Sequence, residues 1–406
     1  MRRLIVENVG PIKYADIELA KVNVFVGPQG AGKSTLAKII SFCSWLEKHR
    51  ADDTVFLDAV SKLKSYHRLA TYFSAESRIY YKGDDIIYCY GWNADAIPVP
   101  EIFEVANVFS PNEKETFFFA VGKNTNPKVI YIPAERNFVA SVPNLQNYNE
   151  DADSLQGFVV DWYNAKRHYT SSTPLPVLNL DIKFYSSENT PDCIILKNGQ
   201  SVPLAASASG YQSIIPMLTV VDWLSNGIYK IDKPFSPSER EKIMATLENI
   251  RSQQSKEELD QLKRRLVGFI EGKIYTHTQF VIEEPEQNLF PQTQKELTYY
   301  LISALDHGKN HHLLLTTHSP YILSALNNLL YAHKVGRKGN KDIVGSIIPE
   351  TSWLDFEQTR AYFVSEATVR SIMDEEIGMI SAETIDFISD TLNSEFEQLL
   401  DIEYRS

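Results

Sequence analysis

Short apolar runs alternate with turns at the start of the chain, and a helical spacing follows them. Residues 3–6 and 14–19 are strand-like runs on either side of the turn pair Gly10-Pro11, so two paired strands are predicted. Val22–Val26 is a nearly continuous apolar run and is predicted to be a buried strand, whereas residues 36–46 have apolar side chains at helical spacing. The opening therefore predicts a strand pair, a buried strand, a loop and a helix.

Further runs of strand length predict that a sheet continues along the chain. The runs that are rich in aromatic and β-branched side chains, with turn residues between them, are residues 78–81, 86–90 and 116–121. Residues 182–185 predict another strand, and residues 193–204 predict a hairpin that turns at Asn198-Gly199. The charged segment 236–272 has a helical pattern, with Ser238 as the predicted N-cap, and indicates one helix or a helical hairpin.

Three other apolar runs are followed directly by polar side chains. These runs are residues 128–132, 280–282 and 313–315. Because α/β sheets bind ligands at the carboxyl ends of their strands, the groups that follow are candidate site residues. They are Glu135 and Arg136 after the first run, Glu283 and Glu284 after the second, and His318 after the third.

The loop at residues 27–35, Gly-Pro-Gln-Gly-Ala-Gly-Lys-Ser-Thr, is a complete phosphate-binding motif between the buried strand and the helix. Its glycines let backbone N–H groups and the helix N-terminus face a phosphate. Lys33 is predicted to contact the β- and γ-phosphates, and the Ser34 hydroxyl is predicted to bind Mg²⁺. The predicted ligands of ATP are Gly27, Gln29, Gly30, Ala31, Gly32, Lys33, Ser34 and Thr35.

The polar groups after the later strands suit the second half of an ATP site. Mg²⁺ requires a hard oxygen ligand and hydrolysis requires a group that orients or deprotonates water; Glu283 suits the first role and Glu284 the second. His318 is predicted to bond the γ-phosphate and position the water. The alternatives are a helix that starts in acidic residues and a histidine that is structural or simply exposed.

Small residues at 205–213 lead into a helical pattern at 214–224. A helix N-terminus with hydroxyl groups and a glycine can bind a phosphate, which makes Ser207, Ser209 and Gly210 candidates. The same residue types also cap ordinary helices. We call residues 205–213 the signature segment below.

Composition narrows the class of protein. The chain has 406 residues, 43% of them hydrophobic, which suits one large or two smaller domains with a substantial core. No secretory signal or membrane-length apolar run is apparent, so a soluble cytoplasmic protein without a membrane partner is expected. Cys43, Cys89 and Cys193 are far apart in sequence and are expected in the core. The net charge of −12 argues against a general nucleic-acid binder, although short basic runs leave local nucleic-acid binding open.

In chain order these segments resemble the ATP-binding cassette (ABC) ATPases, and within them the RecF, SMC and OLD-like branch. Residues 7–12 are similar to the N-terminal strand pair of that branch, residues 283–291 to its Walker B motif and D-loop, and residues 316–320 to its H-loop. The resemblance implies an α/β P-loop NTPase of the ABC type, with a mixed sheet, an antiparallel β extension and a helical signature lobe. In that family the signature motif, here Ser209 and Gly210, binds the γ-phosphate of ATP held by the other subunit. A homodimer that sandwiches two ATP molecules is therefore implied.

The chain departs from the family pattern at three points. Glu283 stands where the family has an aspartate, and Tyr211 replaces the second glycine of the signature, while Gln212 matches its final polar position. The Q-loop glutamine has no clear counterpart, and the Glu135-Arg136 corner is a candidate for that region. The expected domain division is a nucleotide-binding lobe at residues 1–136 and 276–406, and a signature lobe at 137–275.

Three functions remain open from the sequence. The resemblance implies an ATP-dependent switch in bacterial anti-phage defence, which hydrolyses ATP and controls a separate effector protein such as a nuclease. The alternatives are a DNA-repair or DNA-end clamp, and a scaffold that binds ATP with little turnover. The residues after His318 are expected to complete the ATPase lobe without an added acidic nuclease domain of the OLD type, and the acidic residues 374–376 are predicted to lie on an exposed helix.

Overall fold

The computed structural model describes residues 2–49, 53–92, 103–120, 126–142, 153–187, 191–230, 237–252, 275–381 and 394–399. The strands are β1 (Arg2–Val9), β2 (Ile12–Leu19), β3 (Val22–Val26), β4 (Phe73–Lys82), β5 (Ile86–Tyr90), β6 (Phe103–Asn112), β7 (Glu115–Ala120), β8 (Lys128–Ile132), β9 (Leu175–Pro176), β10 (Lys183–Tyr185), β11 (Cys193–Ile195), β12 (Ser201–Pro203), β13 (Thr278–Glu283), β14 (His312–Thr317), β15 (Thr359–Ser365), β16 (Thr368–Ser371), β17 (Met373–Asp374) and β18 (Met379–Ile380). The α-helices are α1 (Lys33–Lys48), α2 (Asp53–Phe56), α3 (Ala59–Tyr66), α4 (Phe138–Ser141), α5 (Ser154–Lys166), α6 (Ser209–Ser225), α7 (Pro237–Ser252), α8 (Pro291–Ser303), α9 (Pro320–Val335) and α10 (Lys341–Ile347).

Most of the strands form one mixed sheet, in the order β6-β7-β5-β4-β1-β2-β16-β15-β3-β14-β13-β8. The neighbours from β15 to β8 run parallel to each other. The strands from β6 to β2 are antiparallel to their neighbours. Strand β16 joins the two parts, because it pairs antiparallel with β15 and parallel with β2. The predicted α/β fold with a mixed sheet and an antiparallel β extension is therefore confirmed.

Both faces of the parallel part of the sheet are covered, which explains why consecutive apolar side chains occupy the middle of β8, β13 and β14. Phe280 and Ile282 of β13 lie in a core that includes side chains of α6 and α9. Val281, between them, lies in a second core with side chains of α1, and so does Leu314 of β14. Because successive side chains of a strand point to opposite faces, the two cores lie on the two sides of the sheet.

Residues 153–187 and 191–230 lie outside this large sheet. They include α5, α6 and a four-stranded antiparallel sheet in the order β12-β11-β10-β9. Helix α5 packs on α6, and the two helices contact β8 and β13 of the large sheet. The hairpin predicted at Asn198-Gly199 is confirmed, because β11 and β12 pair on either side of it. The division into lobes at residues 136 and 275 stays a prediction.

Two local predictions for charged segments of the chain are wrong. Helix α7 begins at Pro237, so Ser238 lies in its first turn and not at the N-cap. Proline is favoured at this position because the N–H that it lacks would have no helical partner. The remainder of that predicted helix, residues 253–272, lies outside the described residues.

The second wrong prediction is the exposed helix at residues 374–376. Strand β17 ends at Asp374, and the carboxylate of Asp374 accepts hydrogen bonds from the backbone N–H groups of Glu376 and Ile377. An aspartate that bonds the backbone two and three residues further on favours a turn over a helix. The acidic cluster is therefore the turn of the hairpin between β17 and β18.

The expectation that the three cysteines lie in the core is confirmed. Cys43, Cys89 and Cys193 are free and buried. Burial raises the pKa of Cys89 to about 12, so this thiol stays protonated at neutral pH. Within the ranges given above, no helix is both long enough and apolar enough to cross a membrane.

Acid is expected to destabilise the fold through His67, which is 1% exposed. Neither of its ring nitrogens has a hydrogen-bond partner among the described residues, and burial, together with the charge of Lys38, lowers the pKa of His67 from 6.5 to about 3. The unfolded chain binds a proton that the folded chain rejects, so the free energy of unfolding falls as the pH drops from 6.5 towards 3. The free energy of unfolding of His67→Phe, measured in urea near pH 5, should change with pH by about 1.4 kcal/mol per pH unit less than that of the wild type.

The control for this prediction is His307→Gln, which replaces an exposed histidine and should keep the wild-type slope. A wild-type slope in His67→Phe would show that the His67 ring does not carry this part of the acid sensitivity.

Candidate nucleotide-binding and hydrolysis site

Three neighbouring parallel strands bring the predicted site residues to one edge of the sheet. Strands β3, β14 and β13 lie side by side, with Val26 opposite Thr317 and Glu283 opposite Thr316. The phosphate loop therefore begins where His318 and Glu284 follow the adjacent strands. Residues more than 280 positions apart in sequence meet here because parallel strands end at the same edge.

The phosphate loop has a backbone that side chains other than hydrogen would disturb. Gly27 has φ +151°, and a Cβ atom on it would lie 2.1 Å from the carbonyl oxygen of Val364. Gly32 has φ +108°, and a Cβ atom there would lie 2.4 Å from the Ile12 side chain. The helix that follows begins at Lys33 without a side-chain cap, which leaves N–H groups of its first turn for an anion. Gln29, Gly30 and Ser34 are exposed, Ala31 is half-buried and Thr35 is buried.

Lys33 is folded back onto its own loop. Its ammonium group donates hydrogen bonds to the carbonyl oxygens of Gly27 and Pro28, both at 2.9 Å. The same nitrogen lies 3.4 Å from Nδ1 of His318. Burial lowers the pKa of Lys33 below its ordinary 10.5, although the neighbouring carboxylates, Glu284 first among them, act in the opposite direction. The amine is thus a cation held beside the place where the triphosphate is expected.

His318 links this lysine to the candidate general base. Its Nε2 lies 3.3 Å from Oε1 of Glu284, and the side chains of His318 and Glu284 are 33% and 35% exposed. Since Lys33 is a donor and Glu284 an acceptor, the network assigns the proton of a neutral His318 to Nε2 and leaves Nδ1 as the acceptor. Lys33, His318 and Glu284 form a continuous chain of polar contacts at the edge of the sheet.

The backbone of Glu284 is held in an unusual conformation. Its φ is +42°, in the left-handed region that side-chain-bearing residues rarely adopt. The N–H group of Glu284 donates to the carbonyl of Thr316 at 2.9 Å, which fixes the residue against the neighbouring strand. Such a conformation costs on the order of 1–2 kcal/mol and persists only where surrounding contacts hold it. The turn therefore points the Glu284 side chain away from the strand direction and towards His318.

Glu283 is buried, with 5% exposure, and Oε1 of its carboxylate has no hydrogen-bond partner among the described residues. A buried carboxylate oxygen without a donor, beside a phosphate loop with an exposed Ser34 hydroxyl, fits a hard divalent cation. No cluster of three or more His, Cys, Asp or Glu side chains that could hold a metal occurs in the described ranges. Mg²⁺ is usually held by one or two carboxylates together with substrate phosphates, so the Glu283 carboxylate suits this ion.

A third carboxylate, Glu286, has a part that the sequence analysis missed. Its Oε1 accepts hydrogen bonds from the hydroxyl of Thr317 at 2.9 Å and from the backbone N–H of His318 at 2.7 Å. Glu286 therefore fixes the backbone that carries the His318 ring. Its position three residues after Glu283 was the only local signal, and that spacing does not indicate its partner.

The corner after β8 lies next to residues 283–286, which we call the acidic turn. Glu135 is exposed, whereas Arg136 is fully buried behind residues 283–285. The corner is thus near the site, as expected for the Q-loop region. The chain has no glutamine at this corner.

The signature segment is built as an open helix N-terminus. Ser209 and Gly210 lie in the first turn of α6, which has no side-chain cap. The Ser207 hydroxyl donates to the carbonyl of Leu204 at 2.7 Å, and the Gln212 amide donates to the carbonyls of Ala205 and Ser207 at 3.0 and 2.9 Å. These bonds hold the turn so that the first N–H groups of the helix remain free of side-chain partners.

The same segment packs against the loop after the acidic turn, not against the phosphate loop. A Cβ atom on Gly210 would lie 2.9 Å from the carbonyl oxygen of Asn288. Within the described part of the chain, no hydrogen bond or ion pair joins residues 207–210 to residues 27–35. The structure thus brings Lys33, Glu284 and His318 together and leaves the signature segment apart from them.

Comparison with known proteins gives the following similarities. A family model described as "AAA domain" matches residues 3–172, and one described as "AAA ATPase domain" matches residues 167–323. Among solved structures, the SMC head domain from Thermotoga maritima shares 8% identity, with 91% of this chain and 97% of that chain covered and a TM-score of 0.38. An SMC head bound to the C-terminal winged-helix domain of ScpA shares 9% identity, with 92% and 98% covered and a TM-score of 0.39.

A dimeric ATP-binding cassette, MJ0796, bound to ADP and Pi, shares 12% identity, with 91% of this chain and 97% of that chain covered and a TM-score of 0.24. A search of curated protein sequences finds no match. The two family models together span residues 3–323, from β1 to the first turn of α9, and include the phosphate loop, the signature segment, the acidic turn and His318.

Proposed function

We propose that this chain, which models of AAA ATPase domains match over residues 3–172 and 167–323, is an ABC-type ATPase of the RecF/SMC-like branch. In this proposal it is an ATP-dependent switch that hydrolyses ATP between two copies of itself. The observation that carries this proposal is the contact chain Lys33, His318 and Glu284 at the ends of three adjacent strands. It supplies a cation for phosphate, a polar group beside the γ-phosphate position and a carboxylate to accept a proton.

The proposed reaction is the attack of water on the γ-phosphorus of ATP. The water oxygen forms a bond to phosphorus, the bond to the bridging β,γ oxygen breaks, and ADP leaves with that electron pair. Glu284 orients the water and accepts its proton, and His318 holds Glu284 through Nε2 while its Nδ1 faces the ammonium of Lys33. Lys33 exchanges the carbonyls of Gly27 and Pro28 for phosphate oxygens as ATP enters. When bound by Ser34 and Glu283, Mg²⁺ would neutralise part of the phosphate charge.

We propose that a second copy of the chain completes the site. The open N-terminus of α6, with Ser209 and Gly210, is a phosphate-binding group that its own phosphate loop does not use. In a two-fold dimer each helix N-terminus can face the γ-phosphate bound by the other copy, so each interface site has parts from both chains. ATP would then favour the dimer and hydrolysis would release it.

The biological role proposed for this switch is control of an effector protein, such as a nuclease, in anti-phage defence. The support is the resemblance of the compact ATPase to that branch. Glu283 and Tyr211, which depart from the family pattern, favour the scaffold with little turnover as a second candidate. A turnover assay on the wild type decides between them, since the scaffold predicts stoichiometric binding of ATP without release of phosphate.

Mixed dimers test whether the site is shared. Lys33→Met removes the phosphate cation of one copy, and Ser209→Arg puts a positive charge and bulk at the exposed start of α6. We expect that differently tagged chains of one variant do not associate in ATP and Mg²⁺. A Lys33→Met chain should nevertheless associate with a Ser209→Arg chain, because that pair retains one complete site. Co-purification through one tag measures the association.

Gln200→Arg is the matched control, since it makes the same charge change at an exposed position just before β12, outside the signature segment. Chains with that substitution should associate in ATP as the wild type does. If the Lys33→Met and Ser209→Arg chains bind each other no better than each binds itself, the shared site is wrong.

A further inference from the structure

Arg136 is a buried cation with an unusual set of partners. It lies in the short 3-10 turn after β8 and is 0% exposed. Its Nε donates to the carbonyl oxygen of Ser213 at 3.2 Å. Its Nη1 donates to the carbonyls of Pro133 at 3.3 Å and Glu283 at 2.8 Å, and its Nη2 donates to those of Glu284 at 2.8 Å and Pro285 at 3.3 Å.

All five N–H groups of the guanidinium are thereby used, and every acceptor is a backbone carbonyl. Burial lowers the pKa of Arg136 to about 10, although four nearby glutamates act in the opposite direction. The guanidinium remains charged at neutral pH, and its planar fork spans carbonyls on separate segments. A lysine has three donors on a single atom and cannot reach the same set.

The hydrogen bonds from the two Nη atoms of Arg136 hold the acidic turn. The two short bonds end on the carbonyls of Glu283 and Glu284, the predicted Mg²⁺ ligand and the predicted general base. Glu284 has the left-handed backbone conformation, so its orientation depends on the contacts around it. Besides Arg136, these contacts include the bond from the Glu284 N–H to Thr316.

The hydrogen bond from Nε of Arg136 holds helix α6. The carbonyl of Ser213 lies one turn after Ser209 and Gly210. It is also next to the carbonyl of Gln212, which Pro216 deprives of its helical donor because proline has no N–H. The Ser213 carbonyl therefore accepts from Arg136 in a turn where the helix lacks one of its own hydrogen bonds. Arg136 therefore bridges the helix that carries the signature segment and the turn that carries Glu284.

We propose that Arg136 is a positioning residue for ATP hydrolysis, which fixes the orientation of Glu284 relative to helix α6. This inference rests on the proposed function of Glu284 and goes beyond it. The N-terminus of α6 is the part proposed to bind the ATP of the other copy. Arg136 therefore connects the helix that binds this ATP to Glu284, the proposed general base. Hydrolysis at one site then depends on the helix that serves the second site.

The test uses Arg136→Lys, with Arg136→Gln as the second variant. Displacement of a catalytic group by about 1 Å can cost roughly 100-fold in rate. We expect kcat for ATP to fall about 100-fold in both variants, while the Kd for ATP, measured by equilibrium binding, stays within about threefold of the wild type. Among the described residues, no hydrogen bond or ion pair joins Arg136 to Lys33 or to the phosphate loop, so ATP binding should not require Arg136.

Arg2→Lys is the matched control for the loss of a buried arginine. Arg2 is also buried and donates to Ser44, Tyr81 and Gln279, near the amino ends of β13 and β14 and away from the site. Arg2→Lys is expected to lower the thermal midpoint while kcat remains within about twofold of the wild type. If Arg2→Lys folds and neither Arg136 variant does, Arg136 is a structural residue and the proposal is wrong.

A double-mutant cycle separates positioning from general damage. If Arg136 acts through Glu284, the pair Arg136→Lys with Glu284→Gln should be no slower than Glu284→Gln alone, because groups that act as a unit are not additive. Multiplicative losses would overturn the positioning role. If Glu284→Gln itself turns over as the wild type does, the proposed function of Glu284 fails, and the inference for Arg136 fails with it for that separate reason.

Discussion

Glu284→Gln should lose ATP turnover while it keeps ATP binding. The amide has nearly the shape of the carboxylate and can still contact His318, but it cannot accept the proton of the attacking water. Removal of a general base typically costs 10²–10⁴-fold in rate, and we expect kcat to fall by about that factor. The Kd for ATP should stay within about threefold of the wild type, because Lys33 and the loop N–H groups remain. Phosphate release and equilibrium nucleotide binding measure the two quantities.

The same variant should accumulate as a dimer. If ATP closes two copies and hydrolysis opens them, a chain that cannot hydrolyse ATP stays closed. Light scattering on Glu284→Gln in ATP and Mg²⁺ should therefore give twice the chain mass of 46.2 kDa, and ADP should give the single mass. Glu357→Gln, an exposed glutamate at the opposite end of the sheet, is the control and should turn over and dissociate normally. Wild-type turnover in Glu284→Gln would show that another group activates the water.

The parts of the site that could be predicted from the sequence are those that a short continuous segment encodes. The phosphate loop has its glycines, its lysine and its hydroxyl within one turn between a strand and a helix, so the residues themselves specify the geometry. Glu284 and His318 could be predicted because each lies within three residues of the end of an apolar run. That both residues lie at the same edge as Lys33 follows from the rule that parallel strands end at one edge, whereas the order β3-β14-β13 could not be predicted from the sequence.

The parts that could not be predicted depend on backbone groups far away in sequence. Arg136 bonds carbonyls of residues 213 and 283–285, and a carbonyl is present at every residue, so no residue type marks the acceptors. Glu286 is similar, since one of its two donors is the backbone N–H of His318. The prediction for the acidic run at 374–376 was wrong for a related reason. Two backbone N–H groups donate to the Asp374 carboxylate, and these hydrogen bonds form a turn in a charged run whose pattern resembles a helix.

Lys33→Met should weaken ATP binding itself, in contrast to Glu284→Gln. A hydrogen bond to a charged group contributes about 1.5–3 kcal/mol, and loss of the ammonium should raise the Kd for ATP roughly 100-fold. The methionine chain fills nearly the same space, so the loop should keep its shape. Turnover should also disappear, because the γ-phosphate loses its cation.

The pH dependence of ATP binding tests whether the charge of Lys33 contributes to ATP affinity. Only the protonated amine attracts phosphate, and burial lowers the pKa of Lys33 below 10.5, so the ATP affinity of the wild type should begin to fall at a lower pH than an ordinary lysine would give. The Kd of Lys33→Met should stay flat over the same range. Lys38→Met removes a lysine one turn further along α1 and should retain both the wild-type affinity and its pH dependence. An alkaline loss of affinity that persists in Lys33→Met would assign the titration to another group and leave Lys33 without the proposed role.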